Sequence, residues 1–223
     1  MRRALYVVAD VLAVVAVAGC GAAATRADTR AAPISAPVGR SDAAYVAKAR
    51  ADSARRPYTK ADIDFVSGMI SHHAQAIVIA GWAPSHGARP SIRVLCERII
   101  NAQKDEITLM QTWLADRQLP VPEARATGMR MVMDGVEHDM LMPGMLSEAQ
   151  MRQLDGARGS GFDRLLLNLM IQHHQGAVTM VNTLFSSAGA GQDQTVFKLA
   201  SDVNVDQSTE IARMEKMLVA LTP

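Results

Sequence analysis

The chain has 223 residues, a formal net charge of +1, 49% hydrophobic residues and only 4% aromatics. That length supports one domain with a real core, and the balanced charge excludes the basic excess of a nucleic-acid-binding protein. Few aromatics beside abundant Ala, Val, Leu and Met favour helices over strands.

Arg2 and Arg3 precede the apolar run ALYVVADVLAVVAVAG, which Asp10 interrupts and VAGC closes at Cys20. The run is too short and broken for a membrane span, and a basic start with small residues before a cysteine looks like a bacterial lipobox. The expectation is a lipoprotein signal peptide over 1–19 and a lipidated Cys20. Residues 20–57 then form a flexible tether to the extracytoplasmic face of the plasma membrane, with a short helical lead-in at 41–56. Cys96 is the other of two cysteines. A lone thiol cannot staple a fold, so it reads as a small buried hydrophobe rather than a ligand.

The folded domain is expected over 58–223. Three capping-box patterns predict helix starts. Thr59 with Asp62 opens a helix at about 60–82, Ser147 with Gln150 a short one at 148–157, and Ser160 with Asp163 another at 161–186. Pro90 suits the first turn of a helix to about Asp116, stopped before Pro120 and Pro122. GAGQD at 189–193 breaks the chain before a last helix at 194–220.

The helices repeat. MISHHAQAIVIA at 69–80 and MIQHHQGAVTMV at 170–181 map Met69 to Met170, His72 to His173 and His73 to His174, an offset of 101. The partner segments QKDEITLMQTWL and QSTEIARMEKML map Gln103 to Gln207 and Glu106 to Glu210, an offset of 104. Each half is a helical hairpin, about 59–116 and 160–220, and two packed hairpins bury what one would expose. The prediction is an all-α four-helix bundle of two repeated hairpins, with pseudo-twofold symmetry, joined by a Met-rich crossover at 117–158.

Adjacent helical residues point about 100° apart, so each histidine pair should place one ring inward and one at the edge of its apolar face. A pseudo-twofold bundle brings equivalent positions together near its axis. His72, His73, His173 and His174, with Met69 and Met170, could then form one metal site or two, because buried imidazoles need partners and a metal supplies them. Gln103, Glu106, Gln207 and Glu210 are candidate ligands, acceptors that orient the imidazoles, or surface residues. The crossover GMRMVMDGVEHDMLMPGMLSEAQM holds seven of the chain's 14 methionines. Its M-x-M rhythm suits an extended segment, with Met129, Met131 and Met133 on one side and His138, Met140 and Met142 likewise. His138, Met140, Met142 and Met145 form a soft donor set, which favours Cu(I) or Ag(I) over hard cations.

The motifs Met69-Ile70-x-His72-His73, Gln103-x-x-Glu106-Ile107, Pro143-Gly144-Met145, Phe162-Asp163, Met170-Ile171-x-His173-His174 and Gln207-x-x-Glu210-Ile211 together resemble one bacterial family. It is the exported HH-repeat family formerly of unknown function, which includes CopM-type periplasmic copper-binding proteins. The resemblance implies an extracytoplasmic ferritin-like bundle, some members of which bind copper or silver through Met and His. Leu166 departs from the pattern where an aromatic is common. The expected function is lipid-anchored copper sequestration or handling in the cell envelope, with Cu(I) preferred over Cu(II) and a metal donor or acceptor protein as partner. The alternatives are a non-catalytic envelope interaction bundle and a di-metal oxidase. The oxidase is disfavoured because no Glu here has a His three residues later.

Overall fold

The computed structural model describes residues 58–133 and 135–221, with no account of the side chains at 131–133. The expected signal peptide, lipidated Cys20 and tether fall outside the described residues. The elements are α1 (Lys60–Gly81), α2 (Pro90–Asp116), β1 (Met129–Met133), β2 (Val136–Met140), α3 (Glu148–Gly156), α4 (Gly159–Ser186) and α5 (Gln194–Ala220). No described helix is long and apolar enough to cross a membrane.

Two of the three predicted caps form. Thr59 and Asp62 close a capping box on α1, and Ser147 and Gln150 close one on α3. The Ser160 box does not form: α4 starts earlier, with Arg158 as N-cap and no side-chain cap bond. The reason lies in the partner hairpin. Asp163 Oδ1 instead accepts from Arg89 N at 3.3 Å, and Gly159 N donates to His86 O at 2.8 Å.

α1 packs on α2, α4 packs on α5, and α1 meets α4 to join the two hairpins. The hairpins also cap each other. Asp62 Oδ1 in the first turn of α1 accepts from Gly191 N, in the loop of the second hairpin, at 2.7 Å. Asp163, its equivalent at offset 101, accepts from the loop of the first. Gly87 and Gly191, equivalent at offset 104, sit at φ +73° and +68°, a conformation in which a Cβ is strained.

The core divides into two apolar clusters. One holds Phe65, Met69, Met110, Trp113, Val181 and Leu184; the other holds Ile79, Ile92, Leu95, Phe162, Leu167 and Met170. The repeat exchanges the clusters: Met69 belongs to one and its equivalent Met170 to the other.

The crossover departs from an all-helical chain in one place. β1 and β2 form an antiparallel hairpin that pairs Met129 with Met140 and Met131 with His138. The M-x-M rhythm is therefore extended backbone, as its period of two requires.

Candidate metal centre

Between the two apolar clusters lies a layer of polar side chains drawn from all four long helices. His72, His73, His173 and His174 are each 0% exposed. The expectation of one inward and one edge ring is thus corrected, and the 100° step explains the outcome. α1 is flanked on one side by α4 and on another by α2, so two divergent rings meet two buried interfaces. His72 faces α4, where its ring centroid lies 3.9 Å from that of His173. His73 faces α2, where Nε2 lies 2.7 Å from Glu106 Oε2 but bent away from hydrogen-bond geometry. The second half repeats this: His174 Nε2 donates to Glu210 Oε2 at 2.7 Å. Glu210 is thus an acceptor for His174, while Glu106 lies beside His73 without a hydrogen bond.

The crossover breaks the twofold symmetry. His72 Nε2 donates to Pro143 O at 3.1 Å, while neither ring nitrogen of His173 has a partner. Pro143 and Gly144 pass directly over α4 at Gly176, where a Cβ would stand 1.9 Å from Pro143 O. The equivalent position in the first half is Gln75. Its amide donates to Ala126 O at 2.9 Å and Leu146 O at 3.0 Å, and its oxygen accepts from Leu146 N at 2.6 Å. One repeat position is thus Gln where the crossover is gripped and Gly where it must pass. Neither residue was singled out from the sequence, although the offset-101 alignment displays the Gln-to-Gly change. Gly176→Ala is expected to push the crossover off α4, weaken the His72–Pro143 bond and destabilise the fold by about 1–3 kcal/mol, read as a lowered urea midpoint.

The layer is rich in unsatisfied atoms. Nδ1 of all four histidines, both amide atoms of Gln103 and Oε1 of Gln207 lack a hydrogen-bond partner. Each such buried group costs about 1–3 kcal/mol. His86 is the contrast: also buried, its Nδ1 lies 2.9 Å from Ser85 Oγ and its Nε2 3.0 Å from Asp155 O. A histidine that only supports the fold finds two partners in this protein; the paired ones do not. Burial, reinforced by the neighbouring His73 and His174, holds the His72 imidazole down at about 3. His173 is lowered well below the usual histidine value, by burial first and then by His72. Both are neutral at physiological pH, as nitrogen ligands must be.

The remaining candidates scatter. Met69 and Met170 pack in opposite apolar clusters, so they do not gather at one point. His138 and Met140 are exposed on β2. Met142 is half-buried, its sulfur close against Gly68, and Met145 is buried, its Sδ accepting from Met142 N at 3.3 Å. The four crossover residues thus differ in exposure instead of forming one surface. Cys96 is buried, and burial pushes its thiol up to about 12, with Asp163 and Glu97 adding to the rise. Among the described residues, no group of three or more His, Cys, Asp or Glu side chains stands ready to hold a metal ion.

The model of the family described as "Domain of unknown function (DUF305)" matches residues 62–218. A putative secreted DUF305 protein from Streptomyces coelicolor is 27% identical with a TM-score of 0.61, covering 72% of this chain and 93% of that one. CopM in its Cu(I)-bound form is 27% identical with a TM-score of 0.55, covering 75% of this chain and 100% of that one. CopM is also solved in Cu(II)-bound and Ag-bound forms. "Uncharacterized protein L153" of Acanthamoeba polyphaga mimivirus is 38% identical over 58 residues, and the match spans 26% of this chain and 38% of that protein.

Proposed function

The chain belongs to the DUF305 family, and on that premise we propose that it is an extracytoplasmic, lipid-anchored metal-binding protein that sequesters or handles copper through His and Met. One observation carries the reading: four buried imidazoles stand in a layer between two apolar clusters, each with an unpartnered ring nitrogen. The copper- and silver-bound forms of a similar structure support it. So do the secreted relative, for an extracytoplasmic location, and the lipobox-like VAGC, for the anchor.

The donor chemistry fits copper. Neutral imidazole serves Cu(I) and Cu(II), and thioether adds preference for Cu(I) and Ag(I). His72, His73, His173 and His174 are the layer donors, with Glu210 orienting His174. His138 and Met140, exposed on the hairpin, are a separate pair of soft donors; Met142 and Met145 lie between them and the layer in sequence. Because the imidazoles are not poised around one point, loading requires ring rotation, and each unpartnered nitrogen that gains a metal bond offsets the penalty of its burial.

Replacing all four paired histidines with alanine is expected to reduce copper bound per chain, measured by metal analysis of protein shown to be folded by circular dichroism. Unchanged stoichiometry rejects the layer as the site. A second reading, a purely structural bundle, draws on the lack of a ready three-ligand cluster among the described residues. Melting the wild type with and without Ag(I) separates the two. Metal at a hundredfold excess over Kd stabilises the native state by about 2.7 kcal/mol, whereas a structural bundle shows no shift.

A further inference from the structure

The polar layer has two faces, and they are unlike. On the α1/α4 face the crossover lies in backbone contact with Gly176 and bonds to His72. Gln75 and Gln172 fasten it further, Gln172 Nε2 donating to Gly144 O at 3.2 Å. On the opposite side, between α2 and α5, is a cavity of about 300 Å³. Gln103, Glu106, Gln207 and Glu210 line it, with Asp206, Thr209, Arg98 and Arg213.

The lining has three features that belong together. Glu106 and Glu210 are the carboxylates that touch His73 and His174. Gln103 and Gln207 are each 98% buried (2% exposed) and present amide oxygens with no partner. Asp206, exposed in the same lining, adds a third carboxylate beside Glu106 and Glu210. Carboxylate and carboxamide oxygens suit a cation that still carries water.

We propose that this cavity is a cation-loading vestibule, in which Asp206 and the amide oxygens of Gln103 and Gln207 hold a hydrated metal ion before it passes Glu106 and Glu210 to the imidazoles. The proposal rests on the reading that the histidine layer takes metal. It assigns the cavity a kinetic role: the vestibule concentrates the cation and sets the loading rate, while the imidazoles set the amount bound. Arg98 and Arg213 stand at the same cavity with the opposite sign, so they slow entry and make it selective against weakly attracted ions.

The test is stopped-flow loading of the whole folded domain with aqueous Cu(II) and, separately, Ag(I). Asp206→Asn is expected to slow loading about 3- to 10-fold at low salt, with the difference shrinking in about 0.5 M salt, because steering by exposed charge is screened. Metal bound at saturation stays the same. Arg98→Gln is expected to speed loading. Gln172→Ala, which loosens the crossover on the other face, is expected to leave the rate unchanged. Loading unaffected by Asp206→Asn, or accelerated by Gln172→Ala, overturns the vestibule. A wild type that binds neither metal instead overturns the copper reading itself.

Discussion

Asp193→Ala is expected to destabilise the protein by about 3–5 kcal/mol, which for a domain of this size lowers the Tm by roughly 10 °C. The residue is 0% exposed and serves four donors. Its Oδ1 caps α5 by accepting from Thr195 N at 2.9 Å and Val196 N at 3.2 Å, and it also accepts from the Trp113 indole at 3.0 Å. Its Oδ2 accepts from the Arg117 guanidinium at 2.5 Å. That guanidinium lies 4.3 Å from the Trp113 ring centroid and 5.6 Å from that of Tyr58. Alanine removes the helix cap, the indole acceptor and the carboxylate charge together. Asp193→Asn keeps a cap oxygen and an acceptor for the indole but loses the charge, so its Tm is expected to fall between the two. If Asn matches Ala, the ion pair dominates; if Asn matches the wild type, the cap and the indole bond do.

Much of this architecture was legible because it is local or repeated. The boundaries of α1 and α2 follow from Thr59, Pro90 and the prolines after Asp116, and the doubled HH segments give the paired hairpins without any structure. The M-x-M rhythm gave the extended segment, though not its pairing into a hairpin, since register depends on the turn near Gly135. What the sequence hid is the use of one residue by a distant partner. Asp163 has the spacing of a helix cap, yet it serves Arg89 in the other hairpin, and nothing local distinguishes the two uses. The second ring of each histidine pair seemed destined for an edge because helical geometry was considered for one interface, while α1 and α4 each take part in two. The asymmetry between Gln75 and Gly176 is visible in the alignment of the halves, but its meaning needs the path of the crossover. The vestibule could not be read at all: Asp206 has no counterpart in the first half, where Ala102 stands, and repeat logic discards such positions.

Acid is expected to weaken the metal-free fold through the same layer that is proposed to bind metal. In the native state burial holds His72 at about 3, against an ordinary value of 6.5, and His173 moves the same way. Between those two pH values the unfolded chain takes up a proton that the folded chain refuses, so falling pH favours unfolding. Stability is therefore expected to be flat above about pH 6.5 and to decline as pH drops toward 3, with His72 alone contributing on the order of 4 kcal/mol across that window. Asp163 and Asp206 act in the opposite sense, because burial raises both carboxyls and a protonated carboxyl then favours the folded state. They therefore work against the imidazole slope, which is read between pH 5 and 7 in urea melts. His72→Leu, of similar volume and without a titrating group, is expected to flatten that slope while His173 keeps part of it. If the wild-type urea midpoint stays constant from pH 7 to 5, the imidazoles are not held neutral by burial, and the lone pairs on which metal binding depends are not reserved for metal.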